Sequence, residues 1–142
     1  MNKGVSRFNI RVYALIILKN NILLSRELIQ NELIYKFPGG GVELGEGIVD
    51  ALQREAKEEM GQHLNHITHF YTTDFFQRSS FDSSEQLISI YFKASLSKHL
   101  NNRLKIPVKD QPVFEWKRLV DLDEENLHFP IDKKVLNMIK LQ

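Results

Sequence analysis

Short runs of apolar residues, separated by turns of polar residues and glycine, form the main pattern of this chain. Arg11–Leu18 and Ile22–Arg26 are rich in aliphatic residues and flank a Lys-Asn-Asn turn, which predicts a β-hairpin. Other runs further along have the length and composition of strands. These predicted strands are Leu33–Phe37, Ile67–Phe76, Gln86–Leu96 and Val113–Leu119.

Two segments show helical periodicity instead. The apolar residues Ile48, Val49, Leu52, Ala56 and Met60 recur at helical intervals, which predicts an amphipathic helix that buries this face. A shorter amphipathic segment, Val135–Leu141, predicts a C-terminal helix. Strands mixed with one internal and one terminal helix predict an α/β fold in which helices cover both faces of a mixed sheet, an α/β/α sandwich.

A glycine loop and a group of glutamates surround the start of the internal helix. The loop is Pro38-Gly39-Gly40-Gly41, and glycine lets backbone N–H groups approach an anion closely. On a helix, glutamates spaced three and four residues apart project from a common side and repel one another. A bound divalent cation with oxygen ligands, such as Mg²⁺, would relieve that repulsion. The glutamates are Glu46, Glu55, Glu58 and Glu59.

This segment resembles the Nudix box, in which glycine, glutamate and arginine stand at fixed intervals around a metal-binding helix. The fixed positions of the box are occupied here by Gly40, Glu46, Arg54, Glu55, Glu58, Glu59 and Gly61. Two aliphatic positions of the box depart from the pattern, because Ala56 is small and Gln62 is polar. Neither departure removes a charged group, so they bear on local packing and leave the chemistry intact.

The resemblance implies an α/β/α sandwich with a catalytic loop-helix-loop and a pyrophosphohydrolase that requires Mg²⁺ or Mn²⁺. By position in the box, the metal ligands would be Glu55, Glu58 and Glu59. Glu46 and Arg54 would form an ion pair that orients the catalytic residues. The general base is left open between Glu55 and a carboxylate from a later loop. Asp110 and Glu85 are the candidates for a further metal ligand, and Asp110 is equally well explained as an ordinary turn residue.

Substrate contacts follow less directly from the sequence. The glycines Gly39, Gly40 and Gly41 would bind phosphate. Phe129 and Asp132 open the last helix, where purine-sanitising members of the family read the base. The favoured alternative is that Asp132 caps the helix and Phe129 belongs to the core. Signatures of several substrate classes in the family are missing, which leaves nucleoside triphosphates or nucleotide sugars by elimination.

The composition of the chain limits its domain number and the classes of partner it can have. The chain has 142 residues, of which 42% are hydrophobic and 26% charged, which predicts a single globular domain over residues 1–142. A formal net charge of +1 gives no indication of a DNA or membrane partner. Cysteine is absent, which excludes disulfides and thiolate chemistry. No targeting segment is visible, so a cytoplasmic location is expected.

The sequence leaves two functional alternatives. The first is hydrolysis of a pyrophosphate bond in a nucleoside diphosphate linked to another moiety, with a small-molecule nucleotide as the partner; a homodimer is left open. The second is a Nudix-like nucleotide-binding or regulatory module that has lost catalysis. The intact set of box glutamates favours the enzyme.

Overall fold

The computed structural model describes residues 2–142. Seven strands and two α-helices make up the fold, with two short 3-10 helices near the C-terminus. The strands are β1 (Arg7–Leu18), β2 (Asn21–Ile29), β3 (Glu32–Lys36), β4 (Gly39–Gly41), β5 (Leu64–Thr72), β6 (Glu85–Leu96) and β7 (Val113–Arg118). The α-helices are α1 (Ile48–Met60) and α2 (Pro130–Lys140), and the 3-10 helices span Leu119–Asp121 and Glu124–Asn126.

The strands form a mixed sheet in the order β3-β2-β1-β6-β5, with β4 paired to β1 and β7 paired to β2. Among the strand pairs of residues 2–142, only the central β1–β6 pair is parallel, and it runs from Arg7↔Glu85 to Ile16↔Ala94. The hairpin predicted at the N-terminus is confirmed by the antiparallel register Ile17↔Ile22. Strand β1 therefore pairs with β2 at its C-terminal end and with the glycine strand β4 near its middle.

Alternate residues of β1 point to two separate cores. Val12, Ala14 and Ile16 pack with Ala51, Leu52 and Ala56 of α1, whereas Tyr13 and Leu15 pack with the apolar side of α2. This alternation is the two-residue period of a strand that is buried on both faces. One helix thus covers each face of the sheet, and the predicted α/β/α sandwich is confirmed.

The element boundaries differ from the sequence predictions in informative ways. Helix α2 begins at Pro130, before the amphipathic segment Val135–Leu141 and within the segment Phe129–Asp132 that was expected to open the helix. Proline fits the first helical position. The predicted strand Ile67–Phe76 ends at Thr72. The buried face of α1 was also partly wrong, since Ile48 and Val49 are 38% and 42% exposed. Ala51 is buried instead, and its small side chain allows close packing against the sheet.

Among residues 2–142, no helix is both long enough and apolar enough to cross a lipid bilayer.

Candidate active site

The glycine loop packs closely against its neighbours, and Gly39 leaves no room for a side chain. Gly39 has φ +153°, and a Cβ atom at this position would lie 2.0 Å from the carbonyl oxygen of Val12. A Cβ atom on Gly40 would lie 2.5 Å from the carboxylate of Glu55. Gly39 and Gly40 are both buried. The loop therefore lies against β1 on one side and against the first box glutamate of α1 on the other.

Helix α1 presents its glutamates along the border of its buried face. Leu52 and Ala56 anchor the helix to the sheet, and Gly61 ends it in the left-handed conformation at φ 68°. Such a glycine is the common way to satisfy the last carbonyls of a helix. The polar Gln62 that follows is buried. Its side chain accepts hydrogen bonds from the backbone N–H groups of Ser97 and Lys98 and donates one to the carbonyl of Lys98, so this departure from the box is accommodated.

Arg54 is the centre of a partly buried ionic network at the edge of α1, where its own side chain is 25% exposed. Its Nε and Nη2 donate to the two carboxylate oxygens of Glu46 at 2.7 and 3.0 Å. Its Nη1 lies 3.0 Å from Glu55 and 3.4 Å from Glu58, and Nη2 also donates to the carbonyl of Gly41 at 2.9 Å. The hydrogen bonds to Glu46 raise the pKa of Arg54 above its ordinary value. The ion pair expected between Glu46 and Arg54 is thus present.

Glu59, near the end of α1, is half-buried. Its pKa is raised to about 8, first by burial and then by the negative charges of Glu27 and Glu55, against the opposing charge of Lys36. A carboxyl group with a raised pKa is one whose charge lacks sufficient neutralisation by its surroundings. A divalent cation is the kind of group that would supply it.

The glutamates of α1 line a cleft of about 720 Å³. Glu55, Glu58 and Glu59 form one wall, the end of β2 from Glu27 to Ile29 forms another, and residues 108–112 form a third. Asp110 belongs to this last segment, so the structure brings it to the same cleft as the box glutamates. Its backbone has φ 63°, a conformation that aspartate tolerates better than most residues.

Glu85, the other candidate for a further ligand, is not brought to this cleft. It begins β6, where its carboxylate accepts hydrogen bonds from Arg7 Nε and Asn9 Nδ2, both at 3.1 Å. Arg7 already neutralises its charge, and both partners hold it against β1. Asp110 is therefore the better placed of the two carboxylates.

Two charged residues of this region, Lys36 and Glu27, were not predicted from the sequence. Lys36 ends β3 with a side chain that is 1% exposed, and its Nζ lies 3.0 Å from Glu27 Oε2. Burial alone would lower the pKa of Lys36, but the negative charge of Glu27 and the neighbouring phenol of Tyr13 outweigh this and raise it. A buried lysine that keeps its charge needs such a partner. The available signal was a lysine at a position of β3 where alternation predicts burial.

Asp132 lies in the core between the sheet and α2. It is fully buried and accepts hydrogen bonds from Tyr91 Oη at 2.5 Å and from the backbone N–H of Phe37 at 3.4 Å. The capping interpretation was wrong, because the N-cap is Phe129 and no side chain caps this helix. Since both carboxylate oxygens of Asp132 have partners inside the core, this geometry favours a core role over contact with a base.

Phe129 is only half-buried and belongs to an aromatic cluster at the start of α2. Its ring meets those of His128 and Phe81 edge-on, with centroids 5.1 and 5.8 Å apart. The rings of Phe81 and His128 stack at 5.7 Å. Such a cluster is more open than a core position, and none of its three residues lines the cleft described above.

The buried carboxyl of Asp132 should make stability depend on pH. Burial raises its pKa from 3.8 to about 6, so its contribution to stability is fully present below pH 3.8 and is lost as the pH rises through 6. We expect Asp132→Asn to flatten this dependence in thermal melts between pH 4.5 and 7. Asp74→Asn is the matched control, because Asp74 accepts the same kind of bond from Tyr71 on the surface. Parallel pH profiles for wild type and Asp132→Asn would contradict this assignment.

The donor set of the cleft fits a hard divalent cation. Carboxylate oxygens are the ligands that Mg²⁺ and Mn²⁺ prefer. Three carboxylates of α1 and that of Asp110 line the cleft. Within residues 2–142, no three acidic or histidine side chains already converge on one point. Glu55 and Glu58 are instead turned toward Arg54.

Comparison with known proteins agrees with this geometry. A NUDIX domain model matches residues 7–141. An 8-oxo-dGTP diphosphatase from Buchnera aphidicola (subsp. Acyrthosiphon pisum, strain APS) is 34% identical over 114 residues, which are 75% of this chain and 77% of that protein.

Solved structures show the same fold. The MutT NUDIX hydrolase of Burkholderia pseudomallei superposes with a TM-score of 0.75 at 21% identity, covering 94% of this chain and 99% of that one. The E. coli ORF135 protein gives a TM-score of 0.74 at 19% identity, covering 95% and 90%. With the domain match and the curated relative, these findings show that the chain belongs to the Nudix hydrolases, a family of pyrophosphohydrolases that generally use divalent metals.

Proposed function

We propose that this protein is a Mg²⁺-dependent pyrophosphohydrolase that cleaves a nucleoside triphosphate to the monophosphate and pyrophosphate. The observation that carries the proposal is the cleft lined by three helix carboxylates and Asp110, with Gly40 of the glycine loop packed against Glu55. Between the two substrate classes left by the sequence, the relative named for 8-oxo-dGTP supports the triphosphate. An oxidised purine triphosphate is therefore the first substrate to test.

The residues of the cleft divide the work between them. Glu55, Glu58 and Glu59 would hold the metal, with Asp110 as a further ligand. When bound, the metal neutralises phosphate charge, orients the pyrophosphate and makes a water more acidic. Lys109 lines the same cleft and supplies a positive charge for the phosphates.

Glu55 is the carboxylate that we assign as the proton acceptor for the attacking water. Arg54 Nη1 holds one of its oxygens at 3.0 Å, and the absence of a side chain on Gly40 leaves the space that its carboxylate fills. Glu55 is therefore held beside the glycine loop, where the phosphates would bind. A general base must be positioned within hydrogen-bonding reach of its proton before its pKa matters.

A phosphate-release screen tests the function. Nucleoside triphosphates, including 8-oxo-dGTP, would be assayed with coupled inorganic pyrophosphatase, and nucleotide sugars with coupled phosphatase, each with Mg²⁺ or Mn²⁺. We expect release in the pyrophosphatase arm and a higher kcat/KM for 8-oxo-dGTP than for dGTP. Signal only in the phosphatase arm would move the substrate to nucleotide sugars. A protein that turned over no substrate would be a nucleotide-binding module without catalysis.

Metal binding through Glu58 can be tested without turnover. Glu58 is 58% exposed, and its contact with Arg54 is long at 3.4 Å. Glu58→Gln should therefore leave the melting temperature with EDTA nearly unchanged. Mg²⁺ stabilises the folded protein by mass action, and the variant should gain a smaller increase in Tm than wild type. Equal Mg²⁺-dependent shifts would show that Glu58 does not bind the ion.

A further inference from the structure

Lys36 lies under the glycine loop and connects it to β2. Its Nζ donates hydrogen bonds to the carbonyl oxygens of Phe37 at 3.0 Å and Gly39 at 3.3 Å. The same nitrogen lies 3.0 Å from Glu27 Oε2. An ammonium group has three N–H donors, so these three partners account for all of them. Lys36 thereby ties the loop that bounds the active site to a carboxylate on the neighbouring strand.

Glu27 receives both of its observed partners on one oxygen. Ser25 Oγ donates to Oε2 at 2.6 Å, and Lys36 Nζ pairs with the same atom. Among residues 2–142, Oε1 accepts no hydrogen bond, although the side chain is only 17% exposed. Glu27 lines the same cleft as Glu55, Glu58 and Glu59, but it does so from β2, on another wall. One of its oxygens thus remains free beside the group of box glutamates.

A fixed carboxylate in this place requires an explanation. The substrate of the proposed reaction carries several negative charges, and a further glutamate beside them would weaken binding unless a cation lies between. Burying the charged Lys36 side chain also carries a desolvation free energy that a pair of apolar residues would avoid. A pair that served packing alone would gain nothing from ionic groups at the edge of a phosphate site.

We propose that Glu27 is an additional metal-site carboxylate, contributed by β2, and that Lys36 is the residue that positions it. This inference rests on the metal dependence proposed above. Glu27 would be a metal-site carboxylate from outside the box. The other carboxylates of the site come from α1, which provides three, and from the loop at 108–112, which provides Asp110. Lys36 acts through Glu27 and through the Gly39 carbonyl, without contact with the metal.

Mn²⁺ binding to the full chain, measured by electron paramagnetic resonance of the free ion, separates this role from that of a simple counter-ion. The variants are Glu27→Gln, Lys36→Met and the double variant, with Glu32→Gln as the matched control because Glu32 is exposed on β3 and does not line the cleft. We expect Glu27→Gln to weaken Mn²⁺ binding about tenfold or more. The control should bind as wild type does.

The double variant decides between the two roles. If Glu27 served only to neutralise Lys36, removing both charges would restore the affinity of wild type. If Glu27 belongs to the metal site, the double variant stays about as weak as Glu27→Gln. Recovery to within about threefold of wild type, well short of the expected loss, would overturn the inference. Absence of Mn²⁺ binding by wild type would instead overturn the proposed metal dependence, and the inference with it.

Kinetics of the single variant provide a second test that does not depend on folding of a Lys36 variant. For Glu27→Gln we expect kcat at low Mg²⁺ to fall about tenfold or more, and high Mg²⁺ to restore much of it while KM for the nucleotide changes little. A purely structural role would leave the loss independent of Mg²⁺. A loss that high Mg²⁺ did not relieve would therefore count against Glu27 as a metal-site residue.

Discussion

Glu59→Gln is expected to lower kcat by about a hundredfold or more, a loss of the size that follows removal of one strong electrostatic contributor. Glutamine keeps the volume of the side chain and removes its charge. Because the pKa of Glu59 is raised by burial and by neighbouring carboxylates, the neutral amide should be tolerated in the fold. We therefore expect the melting temperature with EDTA to be unchanged or higher, while Mg²⁺ binding is weakened.

The measurement is kcat at saturating Mg²⁺ on the substrate with the highest turnover, together with thermal melts with and without the metal. Glu125→Gln is the matched control, because Glu125 is exposed in the 3-10 helix Glu124–Asn126, far along the chain from the box. It should retain the activity of wild type. If Glu59→Gln kept more than about a third of wild-type kcat, a loss far below the expected magnitude, Glu59 would not be a metal ligand.

Local patterns in the sequence predicted the features that depend on neighbouring residues. Helix α1 has the predicted extent, Ile48–Met60, because its apolar spacing and the glycines at both ends are all near neighbours in the chain. The pairing of Glu46 with Arg54 was also predictable, since eight residues separate them across a loop and two helical turns. Periodicity and box spacing describe such short-range relations well.

The contacts that escaped prediction join residues far apart in the chain. Asp132 receives its hydrogen bonds from Tyr91 and Phe37, at sequence separations of 41 and 95, and no local pattern reports such a contact. The choice between Asp110 and Glu85 likewise depended on which loop meets α1 in space. The Lys36–Glu27 pair depends on the register of β2 against β3, in which Glu27 lies opposite Ile34 and Ser25 opposite Lys36.

The pairing of β4 with β1 has the same origin. The glycine run 39–41 has the composition of a loop, and its strand character comes only from its register with Arg11, Val12 and Tyr13. That register also explains why glycine is required, because a side chain at Gly39 would collide with β1. A loop-like composition and a strand-like position are compatible once the partner strand is known.

Arg54→Ala should lower both activity and stability, and this distinguishes Arg54 from the metal ligands. Arg54 bonds two oxygens of Glu46 as well as Glu55 and the Gly41 carbonyl. Removing it leaves partly buried carboxylates unpaired and frees Glu55 from its orientation. We expect kcat to fall about 10- to 100-fold, as for loss of a residue that orients metal ligands, and the melting temperature to fall by several degrees with EDTA present.

Two further variants test this expectation, one conservative and one at the surface. Arg54→Lys keeps the charge but cannot reproduce the bidentate contact with Glu46, so it should recover part of the stability and little of the activity. Arg118→Ala removes an arginine that is 69% exposed and pairs with Asp121 at 3.6 Å, and such surface pairs contribute little. It should match wild type in both measurements. If Arg54→Ala had a normal melting temperature but low activity, Arg54 would be assigned a direct contact with the substrate. A residue that only orients Glu46 and Glu55 could not be removed without lowering the stability of the fold.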